Sequence, residues 1–452
     1  MSSALQEILA FCRAAHTGDV MDAEELLEQH PELEREVAVA AMLGEDEPLA
    51  ELLSQNPEAA QQELRPGITP LFLACLSQYG GVEEDWAERW CRCAQLLIDH
   101  GASVDLGPVD LNLLGGQSSP LVAAISAMGH GPLCELLLAA GASPSNPAAL
   151  VTAAAQGRWD CAELLLRHGA HWNTRLNEDA ETPLHRLLDV GGLTPEDLQR
   201  VLLAGADPNL TAGPQKETAL HVATRRRRLD CLVPLMEAGA DVNAITAGGM
   251  TPWRHAVRRT FSEMATELER LGAHTETTDA DHLATALWEQ ELERAQQILA
   301  ARPELGTSGP PEERRLLADL AAMNRADAVA ALLDAGWELD ARGLDGGSAL
   351  HAACWFAAEE SAQLLVQRGA PLSMRGDAHD TTPLGWVAHG SVYSTDAKAQ
   401  APVYGRLAEL LLSAGSPLPG PGDLHDVEQL AQASEAVQAV LAKHGWSAKK
   451  AP

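Results

Sequence analysis

Residues 225–228 are four consecutive arginines, Arg225, Arg226, Arg227 and Arg228, in a chain whose formal net charge is −32. A guanidinium offers a planar fork of N–H donors that matches a carboxylate or a phosphate, so such a run suits recognition of an anionic group. Left without partners, the four charges repel one another. Arg254, Arg258 and Arg259 follow a short stretch later. Neither residues 218–229 nor residues 250–262 contain an Asp or Glu, so no carboxylate of the same segment answers these charges.

Other reactive side chains are less suggestive. The sequence has no Gly-rich phosphate loop, no HExxH, no GxSxG and no Cys/His metal spacing. Its eight cysteines include only Cys91-x-Cys93 as a close pair, which is not a disulfide framework. No catalytic residue, metal or cofactor is expected.

The elements that must position the arginines are helical. Ala and Leu dominate a chain of 452 residues that is 46% hydrophobic and 4% aromatic. Acidic residues outnumber basic ones 64 to 32, and the resulting field repels nucleic acid and anionic membranes. The first residues, MSSALQEILAFCRAAH, lack a basic leader region, and no apolar run approaches the ~20 residues that span a bilayer. These features lead to the expectation of a soluble, cytoplasmic protein with free thiols, suited to partners with basic surfaces.

A landmark glycine recurs after leucine-rich runs at Gly101, Gly141, Gly169, Gly205, Gly239, Gly272, Gly336, Gly369 and Gly415, with a usual spacing of about 33 residues. A second landmark precedes it: TPLFLAC, SPLVAAI, TPLHRLL, TALHVAT, TPWRHAV, SALHAAC and TPLGWVA. Thr or Ser caps a first helix, and Pro occupies its first turn, where no amide hydrogen is needed. The leucines of AELLLRHGA bury a second helix, which Gly ends in a left-handed conformation. Neither helix can bury its face alone, so units must stack.

With these two landmarks the sequence resembles the ankyrin repeat family, and its short units resemble bacterial ankyrin sequences. The resemblance implies an all-α solenoid of stacked helix-turn-helix units with a concave groove. We read twelve units: degenerate ones in residues 1–66, six in 67–279 and four in 280–420. A single capping helix over about 424–445 and a tail are expected within 421–452. His185, His221 and His351 hold the motif histidine position, which in the family bonds loop backbone. Cys93, Cys161 and Cys231 lie eight residues before their unit's glycine, and Cys75 and Cys354 hold a small-residue position, so the thiols read as apolar filling. Two insertions, near 76–91 and 389–404, could present Tyr79, Trp86 and Trp90, or Tyr393 and Tyr404, to a partner.

In the family, two variable residues at the end of the first helix face the groove and bind protein partners. Here those positions include Asp189-Val190, Arg225-Arg226, Arg258-Arg259, Trp288-Glu289, Ala322-Met323 and Trp355-Phe356. The resemblance therefore implies a non-enzymatic monomer that binds a protein or peptide. Its contact residues would be Arg225, Arg226, Arg254, Arg258, Arg259, Trp288, Met323, Trp355 and Phe356, with the arginines receiving an anionic segment. The competing readings are that the arginines pair with the protein's own carboxylates, or that an enzyme or biosynthetic accessory protein holds an anionic small molecule on them.

Overall fold

The computed structural model describes residues 3–446 apart from 18, 66, 80–85, 106–118, 129–130, 178, 192, 307–313, 344–345, 377–379, 395–396 and 420–423. Among the described residues the regular structure is helical, with isolated β-bridges at Arg65–Ile68, Ala212–Glu217 and Arg342–Ser348 in the connections between units. No described helix is long and apolar enough to cross a membrane.

Helices come in pairs. Thr251 shows how the first helix of a pair starts: its hydroxyl accepts from the Arg254 backbone N–H at 3.2 Å, and Pro252 follows where an N–H would be surplus. Thr69 and Thr382 cap Pro70–Leu76 and Pro383–Tyr393 in the same way. Gly239 ends a second helix at φ 87°, and the next amide, Ala240 N–H, reaches back to Leu235 O at 3.0 Å. In that helix Pro234 has no N–H to donate, and the chain enters through a 3-10 turn at Leu229–Cys231 before Leu232–Glu237.

The motif histidines tie successive units together. His185 Nδ1 lies 2.7 Å from Thr182 Oγ1, and its Nε2 donates to Glu217 O at 3.0 Å. His351 accepts at Nδ1 from the Ser348 backbone N–H and donates from Nε2 to Met374 O and Thr381 O. The structural role expected of this position holds.

Contacts divide the chain into two compact units, Met1–Asp241 and Val242–Pro452. Within the second, the first helices Leu316–Ala322, Ala349–Trp355 and Pro383–Tyr393 pack side by side. Leu317, Leu320, Leu350, Leu384 and Leu411 are buried between them and their second helices. Each such leucine contributes roughly 1.5–3 kcal/mol relative to exposure, which is what makes the stack stable when no helix is stable alone.

Two expectations are corrected. The C-terminal segment is not one helix but two, Leu424–Gln432 and Glu435–Lys443, parted where Ser434 adopts ψ 157°. The aromatics assigned to exposed insertions are partly core: Trp90 is 1% and Tyr404 0% exposed. The Tyr404 hydroxyl donates to Trp355 O at 2.6 Å, which fastens the second insertion to the neighbouring unit. Residues 80–85 and the side chain of Trp86 lie outside the described residues.

Candidate functional site

In the first compact unit, Arg225 and Arg226 end the helix Ala219–Arg225, beside the helix Pro183–Val190. Arg225 Nη2 lies 2.8 Å from Asp189 Oδ1 and 3.3 Å from Glu217 Oε2. Arg226 grips both oxygens of Asp189, at 2.9 and 2.7 Å. Burial alone would raise the Asp189 pKa, but the two guanidiniums outweigh it and hold this carboxyl below its ordinary range. Arg228 turns away to Asp230 and to Leu193 O, and Arg227 sits in the left-handed turn at φ 57°.

The second compact unit repeats the arrangement with other residues. Arg254 holds the motif histidine position, three residues after Thr251. Its Nε donates to Asp281 Oδ2 at 2.8 Å, and Arg258 pairs with Asp281 Oδ1. Asp281 is 0% exposed and also accepts from Thr278 N–H at 2.8 Å. Desolvation works against its charge, yet Arg258 and Arg254 lower its pKa. Arg259 reaches Asp319 at 2.9 Å, and Arg315 meets the same carboxylate at 3.3 Å.

The five arginines expected to face a partner are thus each held by carboxylates of this chain. Asp189 and Asp281 come from the adjacent units, Asp319 from the first helix two units on and Glu217 from just before the cap Thr218, so all four fall outside the acid-free segments around the arginines. One signal was present: Asp189 occupies the same variable position as Arg225, one unit earlier.

The aromatic and methionine positions behave differently. Met323 is 61% and Phe356 56% exposed, at the ends of two adjacent first helices, and Tyr393 on the third is 56% exposed. Trp288 and Trp355 are half-buried. Trp355 stacks on His389 with ring centroids 5.2 Å apart, and His389 lies 4.5 Å from Tyr393. This places Trp355, His389 and Tyr393 in one band of rings. Tyr393 was missed as part of this row because it reads as insertion sequence. A cavity of about 250 Å³ lies elsewhere, near Arg35, Leu52 and Leu64.

Family profiles described as ankyrin repeats match residues 215–247 and 317–366. The human ankyrin repeat and SOCS box protein 16 is 39% identical over 142 residues, 30% of this chain and 30% of that protein. Mouse cyclin-dependent kinase 4 inhibitor B is 35% identical over 108 residues, which are 24% of this chain and 80% of that protein. The crystal structure of the ankyrin repeat domain of Bcl-3 shares 24% identity, covering 52% of this chain and 92% of that one, with a TM-score of 0.26. The chain spans less than a third of the length of most curated relatives it matches. Paired helices closed by a left-handed glycine, two matching repeat profiles and the relative matched over 80% of its length agree: the chain belongs to the ankyrin-repeat family.

Proposed function

We propose that this chain is a non-enzymatic binding protein that takes a protein or peptide partner on the groove side of its second compact unit. One observation carries the reading: Met323 and Phe356 stand exposed at matching positions just after two adjacent first helices, and Tyr393 is exposed at the end of the longer third one, against the His389 ring on which Trp355 stacks. Large apolar and aromatic side chains kept in water on a regular surface cost solubility, and they have the composition of interface anchors. Trp288 extends the same row of positions toward residues 279–288.

The arginines take a lesser part in the proposal. An anionic partner segment would have to share Arg225 and Arg226 with Asp189, and Arg254, Arg258 and Arg259 with Asp281 and Asp319. That competition makes their expected share of affinity smaller than the share of the apolar row. The reading retains twelve bacterial-type repeats, segments 1–66, 67–279, 280–420 and 421–452, and a cytoplasmic monomer that binds neither nucleic acid nor membrane. The test is to capture a partner on the immobilised chain and compare its affinity for Met323→Ala with Phe356→Ala against Arg225→Ala with Arg226→Ala. Loss confined to the arginine pair would overturn the proposal.

A further inference from the structure

We propose that Cys134 and Cys161 form a redox-modification site, in which a small hydroperoxide closes a disulfide between the second helices of two adjacent units. The two sulfurs lie 3.9 Å apart, and both side chains are buried. They belong to Gly131–Ala139 and Trp159–Arg167, which pack side by side, and each sits in the first turn of its helix. Closing the bond requires the sulfurs to approach by roughly 2 Å, to the ~2.05 Å of a disulfide, which is within the reach of a rotamer change plus a small helix shift.

The surroundings favour Cys161 as the attacking sulfur. Backbone N–H groups at a helix start stabilise a thiolate. Arg158 directly precedes this helix and its charge favours the thiolate, although the Asp160 carboxylate opposes it more strongly. Hydrogen bonding from the Cys134 thiol outweighs desolvation and lowers the Cys161 pKa, while Cys134 is pushed up. Burial pushes Cys12, Cys93 and Cys231 up to about 12, which makes them poor nucleophiles.

The chemistry balances with the hydroperoxide as the oxidant. With hydrogen peroxide, the Cys161 thiolate attacks one oxygen, the O–O bond breaks, and hydroxide leaves from Cys161 sulfenic acid. The Cys134 sulfur then attacks the Cys161 sulfur, the S–O bond breaks, and the departing hydroxide takes the Cys134 proton as water. Two thiols lose two electrons and two protons, and one peroxide becomes two waters. Peroxide is small enough to reach a buried pair through brief openings of the helix starts, which a bulky disulfide reagent is not.

The test uses the full chain, reduced, desalted and exposed to a few-fold excess of hydrogen peroxide. Remaining thiols are then blocked, and the chain is digested without reductant for mass spectrometry. The expected result is a Cys134–Cys161 linked peptide, lighter than its two halves by two hydrogens, formed before Cys75, Cys93 or Cys354 reacts. In Cys134→Ser, dimedone is expected to trap a sulfenic acid on Cys161. The inference is overturned if both cysteines stay alkylatable, or if the linked peptide appears only in urea. Should the variant fail to fold, as read by circular dichroism, the wild-type mapping decides alone.

Discussion

Arg254 donates to Asp281 across the boundary between two stacked units, Nε to Oδ2 at 2.8 Å, and Asp281 has no contact with solvent. Arg258 pairs with the other oxygen. Removing one partner of a buried pair leaves uncompensated charge, which costs more than the pair itself contributes. Asp281→Ala is therefore expected to destabilise the protein by about 3 kcal/mol. Urea unfolding followed by tryptophan fluorescence measures this, and a change under 1 kcal/mol contradicts the assignment.

Arg226 is the contrasting case. It is bidentate on Asp189, but its side chain is 46% exposed. Exposed pairs contribute about 0–1 kcal/mol, so Arg226→Ala should cost less than 1 kcal/mol in the same assay. The loss should shrink further in ~1 M salt, where screening is strong.

Thr260 lies at φ 54°, in the turn between paired helices where Gly157 stands at φ 67° in an earlier unit. A β-branched side chain there is sterically strained. Thr260→Gly is expected to stabilise the protein by about 1 kcal/mol, after allowing for the added freedom of glycine in the unfolded chain. A lower melting temperature for this variant would show that the Thr260 side chain makes a contact that outweighs the strain.

Acid should weaken the inter-unit ties before it reaches the ion pairs. Burial pushes the His351 pKa down from 6.5 to about 4, and desolvation also lowers His185. The unfolded chain binds these protons more readily than the folded one. The stabilisation is thus complete above about pH 6.5 and is lost as pH falls toward 4. At pH 5 the His351 contribution to the loss is about 2 kcal/mol. Paired carboxylates such as Asp281, whose pKa is lowered, respond only at lower pH. Stability measured from pH 7.5 to 4.5 should fall, and His351→Gln should flatten that fall; an unchanged slope in the variant argues against a neutral buried His351.

The repeat was legible because its signals are local. Thr218 and Gly239 each act within a few residues of themselves, through a cap and a left-handed turn, and His221 bonds back to the cap Thr218. The partners of the arginines were not legible in their own segments, because Asp189 is 36 residues from Arg225 and Asp319 is 60 from Arg259. Only stacking brings those positions together. Trp90 misled for a similar reason: read as insertion, it packs against Gly44, where an added Cβ would stand 2.8 Å from its ring. The approach of Cys134 to Cys161 was hidden because Cys134 is one residue out of register with the other second-helix cysteines.

The central claim is that the exposed row of Met323, Phe356 and Tyr393, not the arginine cluster, supplies most of the energy for holding a partner. The most direct measurement is the dissociation constant of a captured partner for Met323→Ala with Phe356→Ala, taken beside the melting temperature. These side chains are largely in water, so folding should barely change, while loss of anchor contacts worth about 2–4 kcal/mol corresponds to roughly 30-fold to 1000-fold weaker binding. Unchanged affinity for this variant, with loss only when Arg225 and Arg226 are replaced, would contradict the account.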